Sequence, residues 1–253
     1  MAMIDKTIVE TGSVSTGEID HFAGLAAEWW DPNGDFKSLH EINPLRMTYI
    51  RDQICSHYRR GIDDFEPLSN LSVIDVGCGG GLICEPLARL GADVTGIDAV
   101  DESIEVAKSH SNTMSLAIEY KTLLPEDLVA KVKRYDVLIS MEVIEHVADK
   151  ELFMAACSKL LKPGGLMLGA TLNRTVKSLL LAKIAAEYIL RWVPAGTHDW
   201  QKFVRPSEFC SYMRNNGLGV MDITGMQLNL IDGGWEFSKD LTVNYFISAE
   251  KTF

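Results

Sequence analysis

Asp75, Gly77, Gly79, Gly80 and Gly81 fall within seven residues, in VIDVGCGGG at the end of an apolar run. Backbone free of side chains after a strand lets a ligand lie directly against it, and such loops serve nucleotide-like ligands. The spacing separates two chemistries. A pyrophosphate-binding loop follows G-x-G-x-x-G, whereas here the glycines alternate and the third position of that pattern is Leu82. Asp75, two residues before the first glycine, would repel a pyrophosphate and attract an ammonium or a sulfonium. The loop therefore suits a ligand carrying positive charge and no phosphate.

A second acid, Asp98, ends the next apolar run, ADVTGID, 21 residues beyond Gly77. A carboxylate there can accept both hydroxyls of a ribose, a device that dinucleotide sites also use, so Asp98 points to a nucleoside without saying which. A third group lies in ISMEVIEHV. Met141 offers a thioether that adapts to a flat apolar surface such as an adenosyl group. Glu142, Glu145 and His146 follow within one helical turn and share a side. Three readings of E-x-x-E-H stay open: ligands to a divalent cation such as Mg2+, a catalytic His146 acting as base without metal, or a network at the start of a helix.

The elements that must hold these groups are legible in the hydrophobic pattern. From residue 71 onward, strands are expected at 71–76, 92–97, 117–121, 135–140 and 165–170, with helices near 80–90, 101–111, 125–132 and 149–161. Such alternation requires a parallel sheet covered by helices on both faces. Two more strands, near 218–225 and 241–249, close it after a helix at RPSEFCSYMRNNG that ends at Gly217. Ahead of the sheet, residues 1–14 read as a loose tail. STGEIDHFAGLAAEWW reads as a helix capped by Ser15 or Thr16, with Ile19, Phe22, Leu25, Ala26 and Trp29 on one face. A second helix begins at NPLR with Pro44 in its first turn. Residues 15–253 are expected to form a single domain with a helical insertion at about 172–204.

That insertion contains SLLLAKIAAEYILRWV, in which Lys183, Glu187 and Arg191 are spaced four apart and the rest of the circumference is apolar. Sixteen residues reach only ~24 Å, short of a ~30 Å bilayer core, so the helix can lie in a membrane interface or act as a core or lid helix but cannot span. Nowhere do 18 uncharged apolar residues run together, and no signal-peptide order is present at the N-terminus. The net charge of −11 argues against a nucleic-acid partner. Five cysteines with no C-x-x-C pair read as reduced thiols in a cytosolic protein.

The D-x-G-x-G-x-G pattern resembles the first motif of the Rossmann-like S-adenosylmethionine methyltransferases. AEWWDPNGDFKSLHEINPLR, MEVIEHV, LKPGG, TLNRT and AEYILRWVPAGTHDWQKF together look more narrowly like the ubiquinone-biosynthesis O-methyltransferases, over residues 19 to about 249. The resemblance implies an α/β fold, a Rossmann-like seven-stranded, mostly parallel sheet with N-terminal helices and the insertion after the fifth strand. It implies S-adenosyl-L-methionine as cofactor, held by Arg46, Gly77, Asp98 and Met141, with Asp75 and Gly79 in the same loop. It implies methylation of a phenolic oxygen on polyprenylated catechol and demethylubiquinol intermediates, in the cytoplasm at the inner face of the membrane, with peripheral lipid contact. It leaves open a complex with other enzymes of that pathway. A phenol titrates near ~10, so a base or a cation is required; His146 is the candidate base, and an ion held by Glu142, Glu145 and His146 the competing account. Two rivals remain: a methyltransferase acting on another small hydrophobic acceptor, and a nicotinamide-dependent oxidoreductase, which the glycine spacing and Asp75 disfavour.

Overall fold

The computed structural model describes residues 12–131, 133–180, 200–229 and 233–252. Strands β1 (Ser72–Val76), β2 (Asp93–Asp98), β3 (Glu119–Thr122), β4 (Tyr135–Met141) and β5 (Leu161–Leu172) alternate with helices α3 (Cys84–Arg89), α4 (Asp101–Thr113), α5 (Pro125–Val129) and α6 (Lys150–Leu160). Helices α1 (Thr16–Leu25) and α2 (Lys37–Tyr58) precede them. The short α7 (Val176–Ser178), α8 (Pro206–Asn215), β6 (Leu218–Leu228), β7 (Trp235–Ser238) and β8 (Asn244–Lys251) follow.

One sheet takes the strands in the order β3-β2-β1-β4-β5-β8-β6-β7. The first five run parallel. β8 is antiparallel to both β5 and β6, so β6 runs with the first five, and β7 turns back on β6. The sheet thus has eight strands where seven were expected. The extra strand is four residues long and pairs Leu228 with Trp235 at the hairpin and Gly225 with Ser238 at the far end. It lies at the sheet edge with Glu236 and Phe237 exposed, so it lacks the apolar run by which the inner strands announce themselves.

Alternation along the central strands makes two apolar layers. Val73, Val137, Ile139, Leu166 and Leu168 face Ile50, Ile54, Leu87, Ile104 and Ala107 from α2, α3 and α4. Ile74, Val76, Leu138 and Met167 face Leu128, Phe153, Cys157, Leu160, Phe209 and Met213 from α5, α6 and α8. Each fully buried side chain of this size contributes roughly 1.5–3 kcal/mol relative to exposure. All five cysteines lie buried with free thiols.

Three expectations are corrected outside the sheet. The loose tail expected to residue 14 does not hold at its last positions: Ser13 is fully buried, its carbonyl accepts from Ala148 N at 2.7 Å, and Val14 bridges to Val147, while residues 1–11 lie outside the described residues. Ser15 stands at the start of α1, but its side chain makes no capping bond. Helix α2 begins at Lys37, so Pro44 lies inside it and not in its first turn. The helix continues through the proline because Ile42 falls on the same buried face as Arg46, Tyr49 and Ile50, and that packing outweighs one lost backbone bond. The apolar helix expected over 178–193 falls mostly on residues 181–199, which lie outside the described residues; Val176 and Leu180, at its approach, are exposed.

Candidate active site

The carboxyl ends of β1, β2 and β4 open onto a cavity of about 740 Å³. Val76, Gly77, Gly79, Ile97, Asp98, Met141, Glu142 and His146 contribute to its wall from the strand ends and the loops that follow. This is where open α/β sheets place ligands. Helix α1 lines the cavity with Ile19, Phe22 and Leu25, and Trp29, which lies beyond the end of the helix, adds to the wall, whereas Ala26 of the expected apolar face does not.

Gly77 adopts φ +78°, and a Cβ there would come within 2.4 Å of Val143 Cγ2. Both conditions exclude an L side chain. Gly79 has φ +51°, and a Cβ would meet Trp29 at 2.2 Å. Part of the space cleared by the glycines is therefore taken by the protein's own indole. Trp29 is stacked on Phe36 at 3.9 Å and donates to Ser103 Oγ at 3.1 Å. Its neighbour Trp30 donates to the Gly80 carbonyl at 2.9 Å and stacks at 3.5 Å on His110, whose Nδ1 lies 2.5 Å from the buried Glu85 carboxylate.

Asp98 is held by the loop it was expected to serve. Its two oxygens accept from Gly79 N at 2.8 Å and Val100 N at 2.9 Å, one bond each, which leaves one lone pair per oxygen for two ribose hydroxyls. Burial pushes its carboxyl up, and bonds from the backbone amides of Val100, Gly79 and Ala99 oppose that shift. Asp75 is placed differently. Only 1% exposed, it accepts from Cys84 Sγ at 3.3 Å and is absent from the cavity wall, because alternation along β1 turns Val76 toward the cavity and Asp75 toward α3. Burial pushes its carboxyl up to about 7. Asp75 thus lies beneath the loop, behind the cavity wall.

Arg46 projects from α2 and lines the cavity while only 4% exposed. Its Nη2 lies 3.3 Å from Glu142 Oε1, outside hydrogen-bond geometry, and its buried Nε and Nη2 have no hydrogen-bond partner among the described residues. A buried guanidinium with unmet donors calls for a carboxylate, which it could take bidentately. Met141 ends β4 in the wall at 7% exposure. Glu142 follows with φ +56°, an uncommon backbone for a residue with a side chain and of the kind that collects at ligand sites. Its amide donates to Ala170 at 2.9 Å, which pins the turn.

From there E-x-x-E-H fans out. Glu142 turns to Arg46; Glu145, 2% exposed, accepts from Thr171 Oγ1 at 2.9 Å; His146 Nδ1 lies 3.1 Å from Glu18 Oε2. Burial and the Glu142 charge both push the Glu145 carboxyl up. Among the described residues no three His, Cys, Asp or Glu side chains gather to hold an ion. As placed, Glu142, Glu145 and His146 make three separate pairings, and nothing in this arrangement supports the divalent-cation reading. Burial lowers His146, but the bond to Glu18 and the charges of Glu145 and Glu18 outweigh it, so the imidazole is held above its ordinary value.

Glu18 and Lys202 had no site role in the sequence reading. Lys202 Nζ donates to Glu18 Oε1 at 2.8 Å. Glu18 and His146 stand 128 positions apart, so no local spacing signals the pair.

For S-adenosylmethionine the residues present fit well. Asp98 could accept from a ribose, Gly77 leaves the backbone bare, Met141 forms part of the wall, and the buried Arg46 could take a carboxylate.

Comparison with known proteins accords with this fit. Residues 46–223 match a family described as a methyltransferase domain. The ubiquinone biosynthesis O-methyltransferase of Bartonella tribocorum is 47% identical over 250 residues, covering 99% of this chain and all of that protein. That of Mesorhizobium japonicum is 48% identical over 239 residues, covering 94% and 96%. Among solved structures, the magnesium protoporphyrin IX methyltransferase of Synechocystis PCC 6803 with bound SAM covers 99% of both chains at a TM-score of 0.61 and 18% identity, which bears on the fold alone. Placed by relatives of nearly its own length, the chain belongs to the ubiquinone biosynthesis O-methyltransferases, a family of S-adenosylmethionine-dependent enzymes with a Rossmann-like fold.

Proposed function

We propose that the protein transfers a methyl group to a phenolic oxygen of polyprenylated catechol and demethylubiquinol intermediates of ubiquinone biosynthesis. The observation that carries this reading is the continuity of one cavity: the cofactor residues Gly77, Asp98 and Met141 share it with His146 and with the apolar face of α1. A ring with a greasy tail finds apolar wall at Ile19, Phe22 and Leu25 and a proton acceptor at His146. The names of the relatives support the same substrate class.

S-adenosylmethionine, when bound, supplies a methyl group on a sulfonium. The chain's own residues then have three tasks. Asp98 and Arg46 fix the two ends of the cofactor, so that the methyl faces the substrate in line. The apolar wall excludes water from a reaction that gains nothing from it. His146 takes the phenolic proton, which at neutral pH would otherwise leave too rarely.

Peripheral attachment to the inner face of the membrane, a cytoplasmic setting, and contact with other enzymes of the pathway belong to the same proposal. Support comes from the exposed Val176 and Leu180 at the approach to the insertion. No helix among the described residues is long and apolar enough to cross a membrane.

Transfer of label from S-adenosylmethionine to a prenylated catechol, followed by mass spectrometry, tests the reading. His146→Ala should lower turnover by roughly 10² to 10⁴ with cofactor affinity kept, whereas Asp98→Ala should weaken cofactor binding. Absence of label in the catechol with the wild type would overturn the assignment. Loss of activity in EDTA with recovery in Mg2+ would shift the proton's stabilisation to an ion, for which Glu142, Glu145 and His146 would have to regroup.

A further inference from the structure

The edge strand β7, which the hydrophobic pattern did not announce, has a use at the site. β6 pairs with β8 only as far as Gly225 and Tyr245, whereas its pairing with β7 continues to Leu228 and Trp235. The β6–β7 hairpin therefore rises three residues past its last pair with β8, about 10 Å at ~3.3 Å per residue. It does so at the carboxyl end of β6, the same end of the sheet at which Asp98 and Met141 stand. Cross-strand partners share a face and faces alternate along a strand, so Met226, Leu228, Trp235 and Phe237 make one face of the hairpin. Gln227 and Glu236 make the other, where Gln227 Nε2 donates to Glu236 Oε1 at 2.8 Å.

The apolar face turns to α2. Phe237 meets Tyr49 and Phe246, each with ring centres 6.2 Å apart, and the Tyr49 hydroxyl donates to Asp222 of β6 at 3.0 Å, so the base of the hairpin is anchored. Met226 is buried in the same layer as Ile42, and Leu39 and Trp235 pack against that layer. Above the anchor, Met226, Leu228 and Trp235 line the cavity together with Leu39 and Ile42 of α2. Arg46, the arginine proposed to hold the cofactor's carboxylate, lines it too, one turn beyond Ile42 and two beyond Leu39. The wall thus starts beside the cofactor site and runs about 10 Å away from it along α2, at ~1.5 Å per residue. Edge strands ordinarily carry charge, and apolar groups gathered on an overhang mark a surface made to be covered.

We propose that this wall of hairpin and α2 receives the isoprenoid tail of the acceptor, with Leu228 and Trp235 as its specificity-determining residues, while the ring lies toward Met141 and α1. The inference rests on the prenylated-phenol reading given above. A tail of branched carbon offers no hydrogen bond, so area and shape alone can recognise it. The flat indole of Trp235 and the adaptable thioether of Met226 suit a chain that repeats a planar double bond. The wall ends where the hairpin ends, so it reads only the units next to the ring. The enzyme should therefore separate a short tail from none, and be indifferent between one long tail and another.

The test is steady-state kinetics of the full chain, with saturating S-adenosylmethionine and catechols that carry no, one, two or three isoprene units. In the wild type kcat/KM should rise by about 10- to 10²-fold over the first one or two units and then level off. Leu228→Ala and Trp235→Ala each strip part of the wall and should cut that rise to about threefold or less, while Trp235→Phe keeps an aromatic face and most of the rise. The readout is the ratio between tailed and tail-free acceptors, because a variant that merely loosens the fold or the cofactor site slows both alike. Glu236→Ala removes the bonds from Gln227 and Asn229 on the polar face and should leave the rise intact. If it flattens the rise as much as Trp235→Ala does, the hairpin only braces the site and the inference falls. It falls also if Leu25→Ala, on the α1 wall, flattens the rise and the hairpin variants do not, since the tail then runs under α1. A wild type that labels no catechol, tailed or not, overturns the proposed function together with the inference. Label at an unchanged ratio in both hairpin variants removes the tail wall alone.

Discussion

Asp75 and Asp98 each stand at the end of a neighbouring parallel strand, yet they serve the site differently because their surroundings differ. Asp98 accepts from two backbone amides at the cavity wall, whereas Asp75 is sealed against a thiol under the loop. The sequence shows both acids and their spacing but not which way a strand residue faces, and that is set by the alternation of β1 within the sheet. For Asp75 the consequence is measurable. Burial raises its folded-state carboxyl to about 7, above the unfolded value near ~3.9, so over that window the folded state binds more protons. Stability attributable to this group is therefore present at low pH and declines as pH rises from about 4 to about 7. Asp75→Asn, of the same shape and never charged, escapes this decline. Its stability relative to wild type should improve by a few kcal/mol between pH 4.5 and pH 8, at ~1.4 kcal/mol per pH unit spanned. Urea unfolding of the cofactor-free protein at the two pH values measures this, and a difference independent of pH would remove Asp75 from the account. Glu18 illustrates the opposite limit of legibility: its type and helix were plain, but its partner is made by tertiary contact alone.

Among the elements, the inner sheet and its helices were legible from alternating apolar runs, because each strand there is buried on both faces. What escaped was structure fixed by neighbours. β7 is a short edge strand, and the first turns of α2 extend before a proline because Ile42 has a core to reach. The Trp29–Trp30 stretch likewise read as the end of a helix, whereas it is the clamp that joins α1 to the glycine loop. Trp30 makes that junction through its bond to Gly80 and its stack on His110, itself bonded to the buried Glu85. Trp30→Ala should cost about 2–3 kcal/mol in urea unfolding, below the ~3–5 of a fully buried tryptophan because its ring is only partly covered. Amide exchange over residues 16–28 should accelerate well beyond that of β1 and β4, as α1 opens locally from an otherwise folded sheet. Uniform acceleration across all three would show that the clamp belongs to the global fold and not to a separable cap.

At the scale of the whole molecule, a net charge of −11 opposes approach to an anionic bilayer, so the proposed membrane contact must come from apolar side chains and be weak. Val176 and Leu180 are 69% and 52% exposed, large apolar groups placed where the chain enters the insertion. Replacing both with Glu should leave the melting temperature nearly unchanged, since neither is buried, while reducing sedimentation with phosphatidylglycerol vesicles several-fold. Activity on a long-tailed catechol should fall with it, and activity on a short soluble one should persist. Wild-type protein that ignores vesicles of every composition would end the membrane proposal. The sheet order carries one more implication, for how the molecule is made. β8 follows β6 and β7 in the chain and yet lies between β5 and β6, with seven residue pairs to each. Until the ribosome has delivered residues 244–251, β6 and β7 have no attachment to the rest of the sheet, and β5 carries an open apolar edge. The nascent enzyme therefore passes through a stage in which its cofactor half is complete and its sheet is not. A chain that stopped short of residue 244 would be prone to pair with other chains rather than behave as a slightly trimmed enzyme.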